Sequence, residues 1–429
     1  MYRWLAALLG LTLSLGVAAA QEQDFTTLKG HGGPIMALGV TPEDRVVSAS
    51  FDNALGHWDG QTPQWLDGHA AAVTSLAIGP QGQIASGSDD FAVLLWEQGA
   101  ARELGRHKGK VMGLAFSPDG RQLASASWDG SVVIWSLGGE GAREVAMLDA
   151  SVNAVAFDQT GGILFVATSK GDIWRYDLSR EGSRRPLVRH GFGVNRLELG
   201  DGWLAYGAVD GGTRLIDPDS GKALADFTLD RRPILALSYH AQTQRLAVGD
   251  GEGYIMMIDT AEMRIAQDFR ATRRGPIWAL AFSQDGQRIW AGGVDDVVYG
   301  WPVALLGEFD AVGGETRSFL RAPETMSNGE RQFMRKCSIC HSLEGGASRK
   351  AGPTLHGVFG RRAGTVAGYR YSNTLDGSDI VWNAETIDAL FDQGPDHYIP
   401  GSKMPMQVIA KPDDRADLIA YLKEHTKGE

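Results

Sequence analysis

Short runs in which apolar and polar residues alternate fill the chain between residues 31 and 301. Turn sequences such as SPDG and SWDG interrupt these runs, and no helical spacing of apolar residues competes with them. An alternation of period two that is bounded by turn residues is typical of short β-strands. The pattern therefore predicts an all-β region in which each unit has four short strands.

The β-region is built from repeats. Residues 31–58 (HGGPIMALGVTPEDRVVSASFDNALGHW) align well with residues 69–96 (HAAAVTSLAIGPQGQIASGSDDFAVLLW) and 107–135 (HKGKVMGLAFSPDGRQLASASWDGSVVIW), and four looser copies follow. The seven units are 38 to 43 residues apart, measured between their closing positions at 58, 96, 135, 176, 216, 258 and 301. Self-similarity at such a period indicates a repeat architecture.

The units resemble the WD-repeat family, in which a repeat opens with a GH-like pair and closes with a WD-like pair. Here GH stands at Gly30-His31, and WD stands at Trp58-Asp59. The resemblance implies a seven-bladed β-propeller over residues 21–304. It also implies that the N-terminal segment DFTTLKGH supplies the outer strand of the last blade, which would close the ring and leave no exposed sheet edge between the first and last units.

A histidine opens each of the three best-matched repeats. The resemblance assigns each histidine to a hydrogen-bonded structural chain with a serine, a turn aspartate and the closing tryptophan. The implied sets are His31, Ser50, Asp52 and Trp58; His69, Ser88, Asp90 and Trp96; and His107, Ser127, Asp129 and Trp135. A later unit keeps His190 and Asp210 but has Ile216 in place of the tryptophan. We therefore interpret these histidines as structural, and expect the later blades to depend on packing.

The pattern becomes helical after residue 326. Leu418, Ile419 and Leu422 form an apolar stripe in KPDDRADLIAYLKEH, and Ser327 or Asn328 can cap a helix that leads into RKCSICH. Two terminal helices predict a small all-α domain at residues 327–429. Residues 305–326 contain Gly, Pro and charged residues without a sustained period, and are predicted to be a linker.

The N-terminus predicts export. Arg3 precedes an apolar run from Trp4 to Val17, and small residues follow as far as Ala20. This order is typical of a secretory signal peptide over residues 1–20, cleaved near Ala20, and the run is shorter than the about 20 residues that cross a bilayer comfortably. We therefore expect a periplasmic protein that has no membrane span after cleavage.

Charge is distributed unevenly. The net charge is −11, yet the segment from Ser327 to the end contains 13 basic and 13 acidic residues. The whole negative balance therefore belongs to the part of the chain before Ser327. An acidic chain of this kind is not expected to bind nucleic acid by bulk electrostatics.

Both cysteines of the chain, Cys337 and Cys340, lie in one C-S-I-C-H string that ends at His341. A disulfide between them would close almost no loop and would be a poor structural crosslink. A zinc site would need further ligands, and a thioredoxin-like pair would need a βαβ setting that is absent here. C-x-x-C-H is instead the attachment motif of c-type haem, with the histidine as an iron ligand. Candidates for a sixth ligand are Met404, Met406, His356, His397 and His425.

The C-terminal part contains the segments AGPTLHGVFGRRAGTVAGYRYS, PDHYIPGSKM and RADLIAYLK. These segments resemble mitochondrial-type class I cytochrome c, and the resemblance covers nearly all of residues 327–429. The resemblance implies one covalent haem c on Cys337 and Cys340, with His341 and Met404 as axial ligands of the iron. It also implies that Gly329 and Phe333 cross Leu418 and Tyr421 where the terminal helices pack. The further haem-pocket residues that it implies are Pro353, whose carbonyl would accept the His341 proton, and Arg361, Tyr371 and Trp382 near the propionates.

The sequence departs from this family at three places. Phe391 stands where a buried tyrosine is usual, Met406 replaces a bulky aromatic residue near the haem edge, and Asp396 and His397 replace part of the usual lysine face. These departures affect the expected redox potential and the partner surface rather than the expected iron ligands.

A His/Met pair would fill both axial positions of the iron, which favours one-electron transfer over catalysis. The sequence therefore predicts a periplasmic electron carrier, not an enzyme, whose propeller and haem edge dock redox protein partners. One alternative is a haem-containing subunit or domain of a periplasmic oxidoreductase with a catalytic role, although no second C-x-x-C-H string is present. The other alternative is an interaction scaffold with a structural haem.

Overall fold

The structure, a computed structural model, describes residues 25–139, 141–180, 182–272, 275–306, 323–346 and 349–427. The predicted signal peptide, residues 1–20, lies outside the described residues, as does most of the predicted linker. The described chain consists of a β-region followed by an α-region.

Seven four-stranded antiparallel sheets make up the β-region. Each sheet is one blade, in which consecutive strands are neighbours. Their strands are: blade 1, β2–β5 (Ile35–Val40, Val46–Ser50, Ala54–Asp59, Thr62–Asp67); blade 2, β6–β9 (Val73–Ile78, Ile84–Ser88, Ala92–Glu97, Ala100–Arg106); blade 3, β10–β13 (Val111–Phe116, Gln122–Ser127, Ser131–Ser136, Ala142–Met147); blade 4, β14–β17 (Val152–Phe157, Ile163–Thr168, Asp172–Asp177, Arg184–Arg189); blade 5, β18–β21 (Val194–Gly200, Trp203–Ala208, Thr213–Ile216, Ala223–Asp226); blade 6, β22–β25 (Ile234–His240, Arg245–Asp250, Tyr254–Asp259, Arg264–Arg270); and blade 7, β26–β28 (Ile277–Phe282, Arg288–Gly293, Val297–Pro302) with β1 (Thr26–Lys29).

The N-terminal strand closes the ring. It pairs antiparallel with β28, from Thr26 opposite Gly300 to Lys29 opposite Val297. The first strands of neighbouring blades contact one another all the way round, including β26 with β2. The predicted seven-bladed propeller and its mode of closure are therefore confirmed.

The core of the propeller lies between adjacent blades. The second strand of blade 1 is buried along its whole length, whereas the outer strand of blade 2 is mostly exposed. Apolar side chains from the second and third strands of one blade pack against the first strand of the next. Burial of this surface from water is what drives the blades together.

The connecting loops form two faces. One face, which we call the upper face, carries the loops between the second and third strands of each blade and those leading from an outer strand to the next blade. The lower face carries the loops between the first and second and between the third and fourth strands. Residues 51–53 and 68–72 lie on the upper face, and residues 201–202 on the lower face.

The histidine chains form, but through different serines from those that the sequence suggested. His31 Nδ1 lies 2.8 Å from Asp52, and its Nε2 lies 2.7 Å from Ser48 Oγ, which also accepts a hydrogen bond from Trp58 Nε1. Ser50, the expected residue, instead donates to a backbone carbonyl and accepts from a backbone amide. Equivalent chains use Ser86 in blade 2 and Ser125 in blade 3, so Ser88 and Ser127 were also wrong.

The physical reason for this shift is the geometry of the strand. Residues two apart on a strand point to the same side of the sheet, so the sequence presents two serines that both suit the chain. Ser48 lies opposite Gly56, where an added Cβ would be 2.8 Å from Trp58 Nε1. The indole can therefore fold over a residue without a side chain and reach Ser48.

The third chain differs in detail, because His107 Nδ1 lies 2.6 Å from Ser131 Oγ and 3.7 Å from Asp129. His190 keeps its aspartate, with Nε2 2.9 Å from Asp210. Among the described residues, no group of three or more His, Cys, Asp or Glu side chains could hold a metal ion.

The α-region has four helices: α1 (Asn328–Lys336), α2 (Ala384–Gln393), α3 (Pro395–Tyr398) and α4 (Pro412–His425). Single 3-10 turns at Val303–Leu305 and Pro323–Thr325 precede them. Ser327 caps α1 by accepting a hydrogen bond from the Glu330 amide, which confirms one of the two capping residues expected. No helix of the described residues is long and apolar enough to cross a membrane.

The first and last helices cross at the predicted residues. A Cβ on Gly329 would lie 2.2 Å from the Asp417 carbonyl oxygen, so the two backbones are in contact there. The rings of Phe333 and Tyr421 are 5.7 Å apart, and Leu418 is fully buried. This crossing makes one wall of the apolar cluster that surrounds the candidate site.

Candidate functional site

A cavity of about 570 Å³ is lined mainly by residues of the α-region. Cys337, Cys340, His341 and Met404 all line it, although Met404 is 63 residues or more from the other three in the sequence. Most of the remaining helical-domain wall is apolar. Its buried aliphatic and aromatic residues are Val358, Ile387, Leu390, Phe391, Ile399 and Leu422.

The cysteines reach the cavity because the chain continues to turn after α1. The Cys337 amide donates to the Phe333 carbonyl at 2.8 Å, and the Cys340 and His341 amides both donate to the Cys337 carbonyl. The two cysteines do not form a disulfide with each other. Burial raises the pKa of the Cys337 thiol to about 12, and it also raises the pKa of Cys340. Both thiols are therefore protonated at neutral pH.

His341 is held in one tautomer. Its Nδ1 lies 2.7 Å from the Pro353 carbonyl oxygen, the contact that the family resemblance implied. A carbonyl can only accept, so Nδ1 carries the proton and Nε2 keeps its lone pair. Burial lowers the pKa of the imidazole, which keeps the ring neutral. A neutral imidazole with a free Nε2 is the form that binds a metal.

Gly352 makes room for this imidazole. A Cβ at residue 352 would lie 2.5 Å from His341 Cε1, 2.8 Å from Nδ1 and 2.9 Å from the Cys340 carbonyl oxygen. The Gly352 amide in turn donates to that same carbonyl at 2.7 Å. The loop therefore packs its bare backbone on the histidine and aligns the Pro353 carbonyl with it.

The methionines differ in position. Met404 is half-buried and lines the cavity, and its amide donates to Ser402 Oγ at 3.1 Å. Met406 is 51% exposed and lies beside Gly394 instead, outside the cavity lining. The other sixth-ligand candidates, His356, His397 and His425, are also absent from the lining.

Arg361, Tyr371 and Trp382, which the resemblance assigns to the haem pocket, all line the cavity. The Arg361 guanidinium donates to the carbonyls of His356 and Thr354 at 2.6 and 2.7 Å, so its orientation is set by the loop around it. Tyr371 accepts a hydrogen bond from the Val366 amide. These contacts hold a cation and a phenol at the wall of a mostly apolar cavity.

Tyr369 also lines the cavity, and the sequence reasoning missed it. Its hydroxyl donates to the Ala351 carbonyl at 2.9 Å, and its ring packs edge-on against Tyr371 at 4.8 Å. Burial raises the pKa of Tyr369 to about 12. The only signal in the sequence was the YRY spacing, which places two tyrosines on one side of an extended segment.

The cavity has a second set of lining residues, which come from the propeller. Phe51, Asn53, Asp89, Asp90 and Lys110 reach it from upper-face loops of blades 1 to 3. Sequence reasoning did not place any of them near the cysteines, because no local pattern reports contacts between domains.

The residues present fit a covalently bound haem. The cavity is large and mostly apolar, its two thiols are neutral, and a ligating nitrogen and a thioether lie on its wall. Arg361 and Tyr371 supply polar partners for the carboxylates of a haem. Soft and imidazole ligands of this kind suit an iron porphyrin better than a hard cation.

Comparisons with known proteins agree with this arrangement. The model of the family described as "Cytochrome c" matches residues 326–426, and the model described as "WD domain, G-beta repeat" matches residues 23–59, 60–97 and 100–136. A cytochrome c of Nigella damascena is 48% identical over 111 residues, which are 25% of this chain and 98% of that protein. Cytochromes c of Ginkgo biloba (46% over 101 residues, 24% of this chain and 88% of that protein) and Arabidopsis thaliana (43% over 99 residues, 23% and 88%) are similar as well.

Proposed function

Because the chain belongs to the cytochrome c family through its C-terminal domain and has covalent haem c as its cofactor, we propose that it is an exported electron carrier with His341 and Met404 as iron ligands. The observation that supports this most directly is the shared cavity, which both side chains line together with the two thiols. We further propose the division into a signal peptide (1–20), propeller (21–304), linker (305–326) and haem domain (327–429).

The protein's own residues have separate tasks in this proposal. Cys337 and Cys340 tether the haem, and Pro353 fixes the tautomer and direction of His341. Met404 supplies a thioether ligand, which is associated with a raised reduction potential. Arg361, Tyr371 and Trp382, which line the same cavity, would hold the propionates. When bound, the haem supplies one-electron oxidation and reduction.

Ligation by both His341 and Met404 would leave the iron no position for a substrate, so we assign electron transfer rather than catalysis. The apolar cavity wall excludes water from the redox centre and limits the solvent reorganisation that accompanies a change of charge. The propeller provides a rigid scaffold whose loops form broad faces, which suits it to docking a redox protein.

The ligand assignment is tested by a matched pair of variants. Met404→Ala should abolish the sulfur-to-iron charge-transfer absorption and lower the reduction potential. Met406→Ala, two residues away and outside the cavity lining, should leave both unchanged. A loss of the absorption band in Met406→Ala alone would reject the assignment of Met404.

Export and the role of the propeller need separate tests. Mass spectrometry of protein from the native host should show a mature chain that begins at Gln21, and an intact Met1 would reject cleavage. The haem domain expressed alone should keep its spectrum, since the relatives are whole proteins of that size. It should accept electrons from the physiological donor more slowly at low concentration than the full chain does, and equal rates would reject recruitment by the propeller.

A further inference from the structure

The upper face of the propeller closes against the haem domain. The cavity that contains both thiols extends to Phe51 and Asn53 of blade 1 and to the turn at Asp89 and Asp90 of blade 2. Ala70, Ala71 and Ala72, in the loop that leads into blade 2, also line it. Every one of these residues belongs to an upper-face loop, so one continuous part of that face covers the cavity.

Arg349 makes the most direct contact across this boundary. Its guanidinium lies 4.1 Å from the centre of the Trp65 ring and forms an ion pair with Asp67. The backbones also touch, because a Cβ on Gly32 would overlap the Arg349 carbonyl oxygen. Stacking on the indole fixes the plane of the guanidinium, and pairing with the carboxylate fixes the direction of its N–H groups. The contact is therefore specific rather than a chance meeting of surfaces.

Charges on the two sides are complementary beyond this pair. Lys350 follows Arg349, and its ammonium donates to the Ser338 carbonyl at 3.0 Å. Burial lowers the pKa of Lys350, and the propeller carboxylates of Asp296 and Asp52 oppose that effect. Burial also lowers the pKa of Lys403, and the propeller carboxylate of Asp90 opposes that effect. The basic residues around the cysteines and Met404 thus face an acidic part of the propeller.

Two hydrogen-bond acceptors of the upper face have no partner at the boundary with the haem domain. Asn53 Oδ1 and Asp89 Oδ1 are buried in the described structure and have no hydrogen-bond partner there, whereas Asp89 Oδ2 accepts from Lys110 Nζ at 2.6 Å. Both residues line the cavity, as do Lys336 and Lys403 on the opposite side. Buried acceptors without partners are costly, and lysine ammonium groups are the donors that could satisfy them.

We propose that the upper face of blades 1 to 3 is an intramolecular docking site for the cavity side of the haem domain, and that docking shields the redox centre from protein partners that the propeller does not itself recruit. This inference rests on the proposed function for its redox consequence but not for the docking itself. A protein partner must displace the propeller to reach the cavity, whereas a small ion can enter at the edge of the contact.

The contact is expected to be reversible. A surface ion pair is weak and is screened by salt, so the interface depends on several such contacts. The tether compensates, because two domains of one chain meet at a high local concentration, on the order of millimolar for closely linked domains. Docking should therefore dominate at low ionic strength and diminish as salt is added.

Cross-linking tests the docking without using the haem. The holoprotein would be treated with a lysine-reactive cross-linker at low and high salt, and digested for mass spectrometry. A cross-link between Lys110 of the propeller and Lys403 or Lys336 is expected at low salt, since all three line one cavity. Asp67→Lys should reduce it about two- to five-fold, as expected for loss of an ion pair. Asp201→Lys, an equal charge change on the lower face, should not.

Redox kinetics test the shielding. The reduced holoprotein would be oxidised either by a purified blue-copper protein or by hexacyanoferrate(III). With the copper protein, Asp67→Lys should raise the low-salt rate about two- to five-fold, and the exchanged pair Asp67→Arg with Arg349→Asp should bring the rate back toward wild type. With hexacyanoferrate(III), the oxidation rate of each variant should differ from the wild-type rate by no more than that of the Asp201→Lys control does.

The outcomes separate the two proposals. Absence of the Lys110 cross-links in the wild-type protein at low salt would overturn the docking, whatever the haem does. Cross-links that respond to Asp67→Lys while the copper-protein rate does not would overturn the shielding. A haem that does not cycle with either oxidant, in a protein that still cross-links, would instead overturn electron transfer as the proposed function.

Discussion

Replacing Gly352 by alanine tests whether the loop after the C-x-x-C-H motif holds His341 in place. The new Cβ would overlap the imidazole, 2.5 Å from Cε1, and would also approach the Cys340 carbonyl oxygen at 2.9 Å. The imidazole cannot simply turn aside, because Nδ1 is hydrogen-bonded to Pro353 at 2.7 Å. Overpacking of this kind costs about 1–3 kcal/mol. At about 4–8 °C per kcal/mol for a domain of this size, the melting temperature should fall by roughly 4–24 °C.

The assay is thermal unfolding followed by haem absorption, which reports on the haem domain separately from the propeller. Gly345→Ala is the matched control, because its Cβ would lie 3.1 Å from His356, a histidine outside the cavity lining that can move. We expect the control to change stability by about 0.5 kcal/mol or less. A Gly352→Ala protein with the melting temperature of the wild type would refute this account of the site. A Gly345→Ala control whose melting temperature falls as far as that of Gly352→Ala would refute it too.

Three further predictions follow from the same contacts. Cys337→Ala with Cys340→Ala should give protein that releases its haem under denaturing conditions, as seen by haem staining of a denaturing gel, and retained haem would contradict covalent attachment. In a double-mutant cycle with the closing tryptophan of blade 1 changed to phenylalanine, Ser48→Ala should show a coupling of about 0.5–3 kcal/mol, whereas Ser50→Ala should be additive. Although burial opposes it, hydrogen bonds from His69 and two backbone amides lower the pKa of Asp90 to about 2. Its contribution to stability is therefore present above pH about 4 and lost as the pH falls toward about 2, and Asp90→Asn should flatten acid unfolding in that window.

The sequence by itself determined the two folds and the cofactor, because each of these depends on local pattern. Alternation of period two and repeated turns define strands wherever they occur, and the resemblance of the seven units to WD repeats implied that they pack in a ring. Cys337, Cys340 and His341 are adjacent in the chain, so one helical turn after α1 brings them together without help from distant residues. The crossing of the terminal helices was also predictable from Gly329 and Phe333, through the family resemblance.

Tertiary structure decided between residues that look equivalent in the sequence. Two serines with the same orientation on β3 look alike in the sequence, and only the fold of Trp58 over Gly56 selects Ser48. Met404 and Met406 share one short loop, yet only Met404 lines the cavity. The contact of Arg349 with Asp67 joins residues 282 positions apart, and no periodicity records such a pairing. Contacts of this kind depend on how complete surfaces meet, which is a property of the folded domains and not of any segment within them.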